Sequence, residues 1–316
     1  MGLLNPYKNI HAFDPKTSIP ELTGRVIIVT GGNAGIGKQA VLELSRHNPR
    51  RLYLAARSRT KFDAALKDIL LANPNASSCV EYLELDLANL KSIRAAANKV
   101  LAENTRLDIL INNGGIMANP PALSADGYEL QFATNYFGHA ALTKLLMPLL
   151  QRTAEALPEM QRNTVRVVHV SSAAARLDQQ KGKREDVNEY ARYSISKLAQ
   201  ILYARQSVVH WPDVVHVAIQ PGRVDTGLLD HYLGSGKRWG PLGLMQRTYD
   251  AVAGKLTVEE GALTPLWAAT WTGDVSNGGM FSPVGVPEPG SAQCRDDKLA
   301  KALWDWTEEE LRKAGI

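Results

Sequence analysis

At 316 residues and a formal net charge of +4, the chain is too weakly basic for a nucleic-acid partner, its only short basic cluster being Lys181, Lys183 and Arg184. A composition 45% hydrophobic and 22% charged suits a globular chain with a sizeable core, and two cysteines, Cys79 and Cys294, make no disulfide framework and point to a reducing compartment. Residues 1–20 lack an apolar leader core and no run approaches the roughly 18 apolar residues that cross a bilayer, so no integral membrane segment is expected and the cytosol is the expected location.

The first predicted strand, Arg25–Thr30, runs straight into Gly31-Gly32-Asn33-Ala34-Gly35-Ile36-Gly37, and a helix follows from Lys38. A strand, a glycine turn and a helix N-terminus in that order suit a pyrophosphate: glycine lets the backbone approach, and the helix end faces the anion. The second strand, Arg51–Ala56, ends on Arg57-Ser58-Arg59. An acid at this place would accept from a ribose 2′-hydroxyl, whereas Arg57 and the Ser58 hydroxyl suit a 2′-phosphate, so NADP(H) is expected over NAD(H).

The third strand, Val80–Leu85, closes on Asp86 and Leu87; Asp86 can equally cap the next helix, in which Leu90, Ile93, Ala97 and Val100 share one face. Strands at Leu107–Asn112, Val165–Ser171, Val214–Ile219 and Gly279–Val284 follow. Thr257 with Glu260 forms a capping box, and a final helix spans about Asp296 to Lys313 with Leu299, Leu303, Trp304 and Leu311. Strands apolar on both faces, alternating with helices, predict one Rossmann-type doubly wound α/β domain over 1–316, with about seven parallel strands and helices on both faces. Two stretches resist the pattern. Ala174–Asn188 is polar, and 228–256, glycine-rich with Tyr232, Trp239, Leu242, Leu244 and Met245, reads as an apolar lid or as plain packing.

Tyr193 and Lys197 stand four apart on a predicted helix, one above the other, downstream of Ser171 and Ser172. An ammonium beside a phenol lowers its pKa, so that the phenol can exchange the alcohol proton while hydride moves to or from a nicotinamide. A serine at the strand end would hold the substrate oxygen near the tyrosine. Serine-hydrolase and zinc chemistry are disfavoured, since there is no Gly-x-Ser-x-Gly and no His-x-x-x-His.

Six segments in this order resemble the short-chain dehydrogenase/reductase family over residues 24–227. They are Thr30-Gly31-x-x-x-Gly35-Ile36-Gly37, Asn112-Asn113-Gly114-Gly115, Asn135 in Thr-Asn-Tyr-Phe-Gly-His, Ser171-Ser172, Tyr193-x-x-x-Lys197 and Pro221-Gly222-Arg223-Val224-Asp225-Thr226. Thr-Gly-Gly-Asn-Ala-Gly-Ile-Gly-Lys, Ala-Ala-Arg-Ser and Asn-Tyr-Phe-Gly-His are closest to its retinol-dehydrogenase-like and fungal members.

The resemblance implies Tyr193, Lys197, Ser172 (with Ser171 as the alternative) and Asn135 as the catalytic set, Asn135 holding a relay water. Cofactor contacts would come from Gly31, Asn33, Gly35, Ile36, Gly37, Arg57, Ser58, Asp86 on the adenine side, Leu87, Asn113, Gly114 and Gly115. Pro221, Gly222, Val224 and Thr226 would hold the nicotinamide carboxamide, and Asn112 would tie neighbouring strands together. The expected reaction is NADPH-dependent reduction of a small hydrophobic ketone or aldehyde, such as a secondary-metabolite intermediate. A hydride-neutral isomerisation or cyclisation, and a non-catalytic NADP(H) sensor or scaffold, are the alternatives. Family members that form homodimers pair through the fourth and fifth helices.

Overall fold

Strands that are apolar on both faces need helices on both sides, and the chain supplies them. The computed structural model describes Tyr7 and residues 9–176, 187–225 and 254–316. The strands are β1 Val26–Thr30, β2 Arg51–Ala56, β3 Val80–Glu84, β4 Ile109–Asn112, β5 Arg166–Val170, β6 Val215–Ile219, β7 Met280–Ser282 and β8 Val286–Pro287. They form one sheet in the order β3-β2-β1-β4-β5-β6-β7-β8, and only the β7–β8 pair is antiparallel. The seven expected strands are present, Arg51–Ala56 with its expected bounds and the other six with trimmed ends. The eighth, a two-residue edge strand reached through Gly285 at φ +68°, is too short to leave a periodic signal. Chain order reverses between β1 and β4, which opens the ligand crevice of such sheets above their carboxyl ends.

The longer helices are α1 Gly35–Ser45, α2 Arg59–Ala72, α3 Leu90–Glu103, α4, α5 Glu189–His210, α6 Val258–Thr270 and α7 Asp297–Lys313. Helix α4 starts as Leu130–Phe132, passes through a π turn at Ala133–Phe137 and continues as Gly138–Glu155. Ile27 and Val29 of β1 pack with Val41, Leu44, Leu266 and Trp267 on one face of the sheet. Val26 and Ile28 pack with Ile93, Val100, Leu146 and Tyr203 on the other. Side chains cap most of these helices at the N-terminus: Ser58 on α2, Asn89 on α3, Asn188 on α5, Asp296 on α7 and the predicted Thr257–Glu260 box on α6. Asp86 is not a helix cap. Its carboxylate accepts the Ala88 N–H in a local turn, and Asn89, three residues on, has the geometry to serve Lys91 and Ser92.

Helix α7 lies over α4 and α5, the pair through which two copies were expected to meet. Trp304 stacks on Tyr203 at 5.2 Å and on His210 at 4.2 Å, the Tyr136 hydroxyl meets Thr307 at 2.5 Å, and Lys144 pairs with Glu308 at 2.6 Å. The chain itself occupies this apolar seat. Trp304→Ala, opening a cavity between three aromatic neighbours, is expected to lower unfolding free energy by about 3–5 kcal/mol in urea titration.

Candidate active site

Strand β1 delivers Thr30 to the crevice floor, and its hydroxyl organises the ends of two strands. The oxygen accepts from the Asn113 N–H at 2.9 Å and the Gly114 N–H at 2.8 Å, and the Asn113 side-chain amide donates to the Thr30 carbonyl at 2.8 Å. Two glycines of the turn are dictated by this close approach of the chain to itself. A Cβ on Gly31 would sit 2.8 Å from the Gly114 Cα, and one on Gly37 would sit 2.5 Å from Asn113 Nδ2. Gly35 serves the turn, at φ +50°.

The start of α1 is the exception among the caps. Ala34 precedes it with no side-chain hydrogen bond, and the N–H groups of Gly35, Ile36 and Gly37 have no acceptor within the helix. Asn33 lies half-buried on the same turn. This is the donor set an anion takes at a helix N-terminus. Arg57, at the end of β2, is exposed and makes no hydrogen bond or ion pair with the described residues, whereas Arg59 is engaged by Asp63 at 2.9 Å. Ser58 has a second use as the α2 cap, accepting from Lys61 N–H at 3.3 Å. Asp86 and the buried Leu87 border the crevice, with Leu87 Cδ1 2.8 Å from where a Gly114 Cβ would be. The donors and the arginine fit a dinucleotide phosphate.

Asn112 does not tie strands together through its side chain. Its amide donates to Thr143 Oγ1 at 3.0 Å and so fastens β4 to α4, because its side chain faces the helix layer.

Tyr193 and Lys197 lie one turn apart on α5, both buried, with Lys197 Nζ 5.7 Å from the phenol ring centroid. Lys197 donates to the Val170 carbonyl at 2.8 Å and to Gln200 Oε1 at 3.0 Å, which leaves one of its three donors for a ligand. The two serines divide their roles. Ser171 donates to the Lys197 carbonyl at 2.7 Å, while the Ser172 hydroxyl accepts from Ala174 N–H at 3.2 Å and stands close enough to the Tyr193 phenol to lower its pKa.

The expected lowering of the tyrosine by its lysine is not what the geometry gives. Burial pushes Tyr193 up to about 12, with the Ser172 hydrogen bond pulling the other way and Tyr190 adding to the rise. Burial also takes Lys197 down to about 7, so its ammonium is weakened as a source of charge. The unfolded chain protonates this amine below its ordinary 10.5, and the folded chain does so only near 7. Folding therefore releases a proton between those values, and stability is lost as pH falls through that window. Lys197→Met lacks this dependence. Its melting temperature relative to the unaltered protein should decline steadily from pH 7 upward, read below pH 10, where Tyr193 ionisation enters. A constant difference would remove the buried-lysine account.

Asn135 sits in the π turn of α4, a helix defect frequent at functional sites. Its side chain accepts from Ile116 N–H at 2.8 Å and donates to Ile116 O and Ser196 Oγ, both at 2.9 Å. Gly115 keeps the space beside it open, since a Cβ there would be 3.1 Å from Asn135 Oδ1 and 3.6 Å from Lys197 Nζ.

Past β6, Pro221-Gly222-Arg223 turns at Gly222 with φ +86°, and Val224 bridges to Leu256. Tyr7 covers this turn, its hydroxyl accepting from Arg223 N–H at 3.1 Å. Thr226, most of the 228–256 segment and residues 177–186 of the polar loop lie outside the described residues. Gln200, Thr30, Ser196, His139 and Tyr7 join the site without having been assigned roles from sequence. Gln200 alone had a legible signal, three residues after Lys197 on one helix face.

Comparison with known proteins gives the family. The family model for short chain dehydrogenase matches residues 25–233. A short-chain dehydrogenase/reductase of Phomopsis amygdali is 34% identical, over 94% of this chain and 92% of that protein. Human retinol dehydrogenase 11 is 35% identical, over 92% of this chain and 86% of its own. Among solved structures, an uncharacterised protein from Mycobacterium paratuberculosis superposes with a TM-score of 0.67 at 28% identity, covering 94% of this chain and 96% of that one. NADPH-bound carbonyl reductase from chicken fatty liver shares the fold, with a TM-score of 0.61 at 22% identity over 84% of this chain and 99% of its own. Strand, turn and helix at the crevice, and the sequence relatives alike, make this chain a member of the short-chain dehydrogenase/reductase family of nicotinamide-dependent oxidoreductases.

Proposed function

We propose that the chain reduces a hydrophobic ketone or aldehyde to the alcohol with NADPH. The observation that carries this reading is the convergence of Ser172, Tyr193 and Lys197 at the carboxyl end of β5, beside a helix N-terminus that no side chain caps.

NADPH bound in the crevice supplies the hydride. The phosphates would rest on the N–H groups of Gly35, Ile36 and Gly37, with the 2′-phosphate against Arg57 and Ser58 and the adenosine against Asp86, Leu87 and Asn113. Gly31, Gly114 and Gly115 keep the crevice floor narrow enough for that contact. Pro221, Gly222 and Val224, with Thr226 just beyond the described residues, would take the carboxamide end. Ser172 would hold the substrate oxygen, and Tyr193 would give that oxygen its proton. The remaining N–H of Lys197 would orient the nicotinamide ribose, and Asn135 would hold the relay water of the proton path.

A phenol pushed up by burial is protonated at neutral pH, so a proton is in place to be given to the substrate oxygen. The relative named retinol dehydrogenase acts on an apolar alcohol by its name, in keeping with an apolar substrate here. Two copies would have to pair away from the α4–α5 face that α7 fills.

A panel of ketones followed at the nicotinamide absorbance tests the reading. Consumption of NADPH, faster with bulky apolar ketones than with small polar ones, is the expected result. The opposite preference would overturn the substrate class. Tight binding with no consumption on any ketone would favour a hydride-neutral isomerase or a sensor.

A further inference from the structure

His139 is a fully buried histidine beside the reacting groups, and the mechanism above gives it no task. Its Nδ1 lies 2.8 Å from the Asn135 carbonyl oxygen, and its Nε2 lies 2.8 Å from Thr30 Oγ1. These two distances fix every proton. A carbonyl can only accept, so Nδ1 carries the hydrogen. Burial holds the ring's pKa down to about 3, so the imidazole is neutral and Nε2 is a bare acceptor. The Thr30 hydroxyl therefore donates to Nε2, and its oxygen remains free to accept the Asn113 and Gly114 N–H groups.

On the other side the line continues through the Asn135 side chain to Ser196 Oγ at 2.9 Å, and from Ser196 to the Tyr193 carbonyl at 2.6 Å. The link falls within the π turn. That turn shifts the backbone ladder so that Gly138 N–H reaches the Ala133 carbonyl, five residues back, and a side-chain donor serves Asn135.

We propose that His139 is a positioning residue: as the Nδ1–H tautomer it tethers the Asn135 turn to Thr30, holding the catalytic helix in register with the cofactor crevice. The two bonds are unequal in consequence. The Thr30 hydroxyl has a second acceptor in the Ile111 carbonyl at 3.3 Å, so the crevice floor survives loss of Nε2. Loss of the Nδ1–H donor releases the Asn135 carbonyl and lets the reacting groups shift. This assignment of a kinetic role rests on the reductase reading.

Two conservative variants separate the bonds, because an asparagine amide falls near the position of Nδ1 and a glutamine amide near that of Nε2. His139→Asn should keep kcat within about three-fold of the unaltered protein, whereas His139→Gln should lose about 30-fold in kcat with NADPH KM changed less than about three-fold. Equal loss in both variants, or parallel changes in kcat and KM, would overturn the tether as a positioning device. Nitrogen NMR of the His139 ring in the unaltered protein gives a reading that needs no turnover. The expected spectrum is a neutral Nδ1–H ring unchanged from pH 5 to pH 9, that is, well above the value near 3 set by burial. An Nε2–H ring, or titration in that range, would refute the tether. Absence of turnover alongside the expected spectrum would instead refute the reductase reading.

Discussion

Tyr193→Phe is expected to bind NADPH as the unaltered protein does and to lose turnover by about a thousand-fold, within the range attributed to a positioned general acid. The ring stays, so the buried packing beside Met117 and Ala174 is kept. The hydroxyl goes, and with it the partner of Ser172. Fluorescence titration with NADPH separates the two effects from each other. Unchanged binding with collapsed kcat assigns the proton to the phenol. A surviving rate would mean that another group donates, and Ser172, beside the phenol, would be the next to remove.

Arg57→Asp should weaken NADPH by about 100-fold while changing NADH by no more than about three-fold, the difference expected when charge-assisted hydrogen bonds to a phosphate are replaced by repulsion. Arg57 is suited to such a test because it is exposed and pairs with none of the described residues, so its removal disturbs no internal contact. Arg59 is a poor substitute, being tied to Asp63 and stacked near Phe62 and Tyr82. Kd values for the two cofactors, measured on both proteins, check it. Equal losses would take Arg57 away from the 2′-phosphate.

Sequence carried the sheet well because its signal is local. The run Val26–Val29 is apolar on both faces, the glycine turn follows it at once, and Thr257 with Glu260 declares a helix start within four residues. What it missed depends on distant partners. The spacing around Asn135 gives no hint of a π turn, where its side chain pairs with Ile116 and with Ser196 of α5. The glycines at 31 and 37 were read as clearance for a ligand, yet they are required first by the approach of Gly114 and Asn113. The tyrosine–lysine pair was correctly seen to share a helix face, but its electrostatics were not legible. Burial on all sides, invisible in a four-residue spacing, outweighs the lysine's charge. Tyr7 is separated from Arg223 by most of the chain, and only the fold brings them together.

The most direct test of NADPH-dependent carbonyl reduction is to supply the unaltered protein with NADPH deuterated at the transferred position and a bulky apolar ketone, and to examine the alcohol by mass spectrometry. The account predicts one deuterium on the carbinol carbon. An alcohol without deuterium, or bound NADPH that yields no alcohol from any ketone, would contradict it.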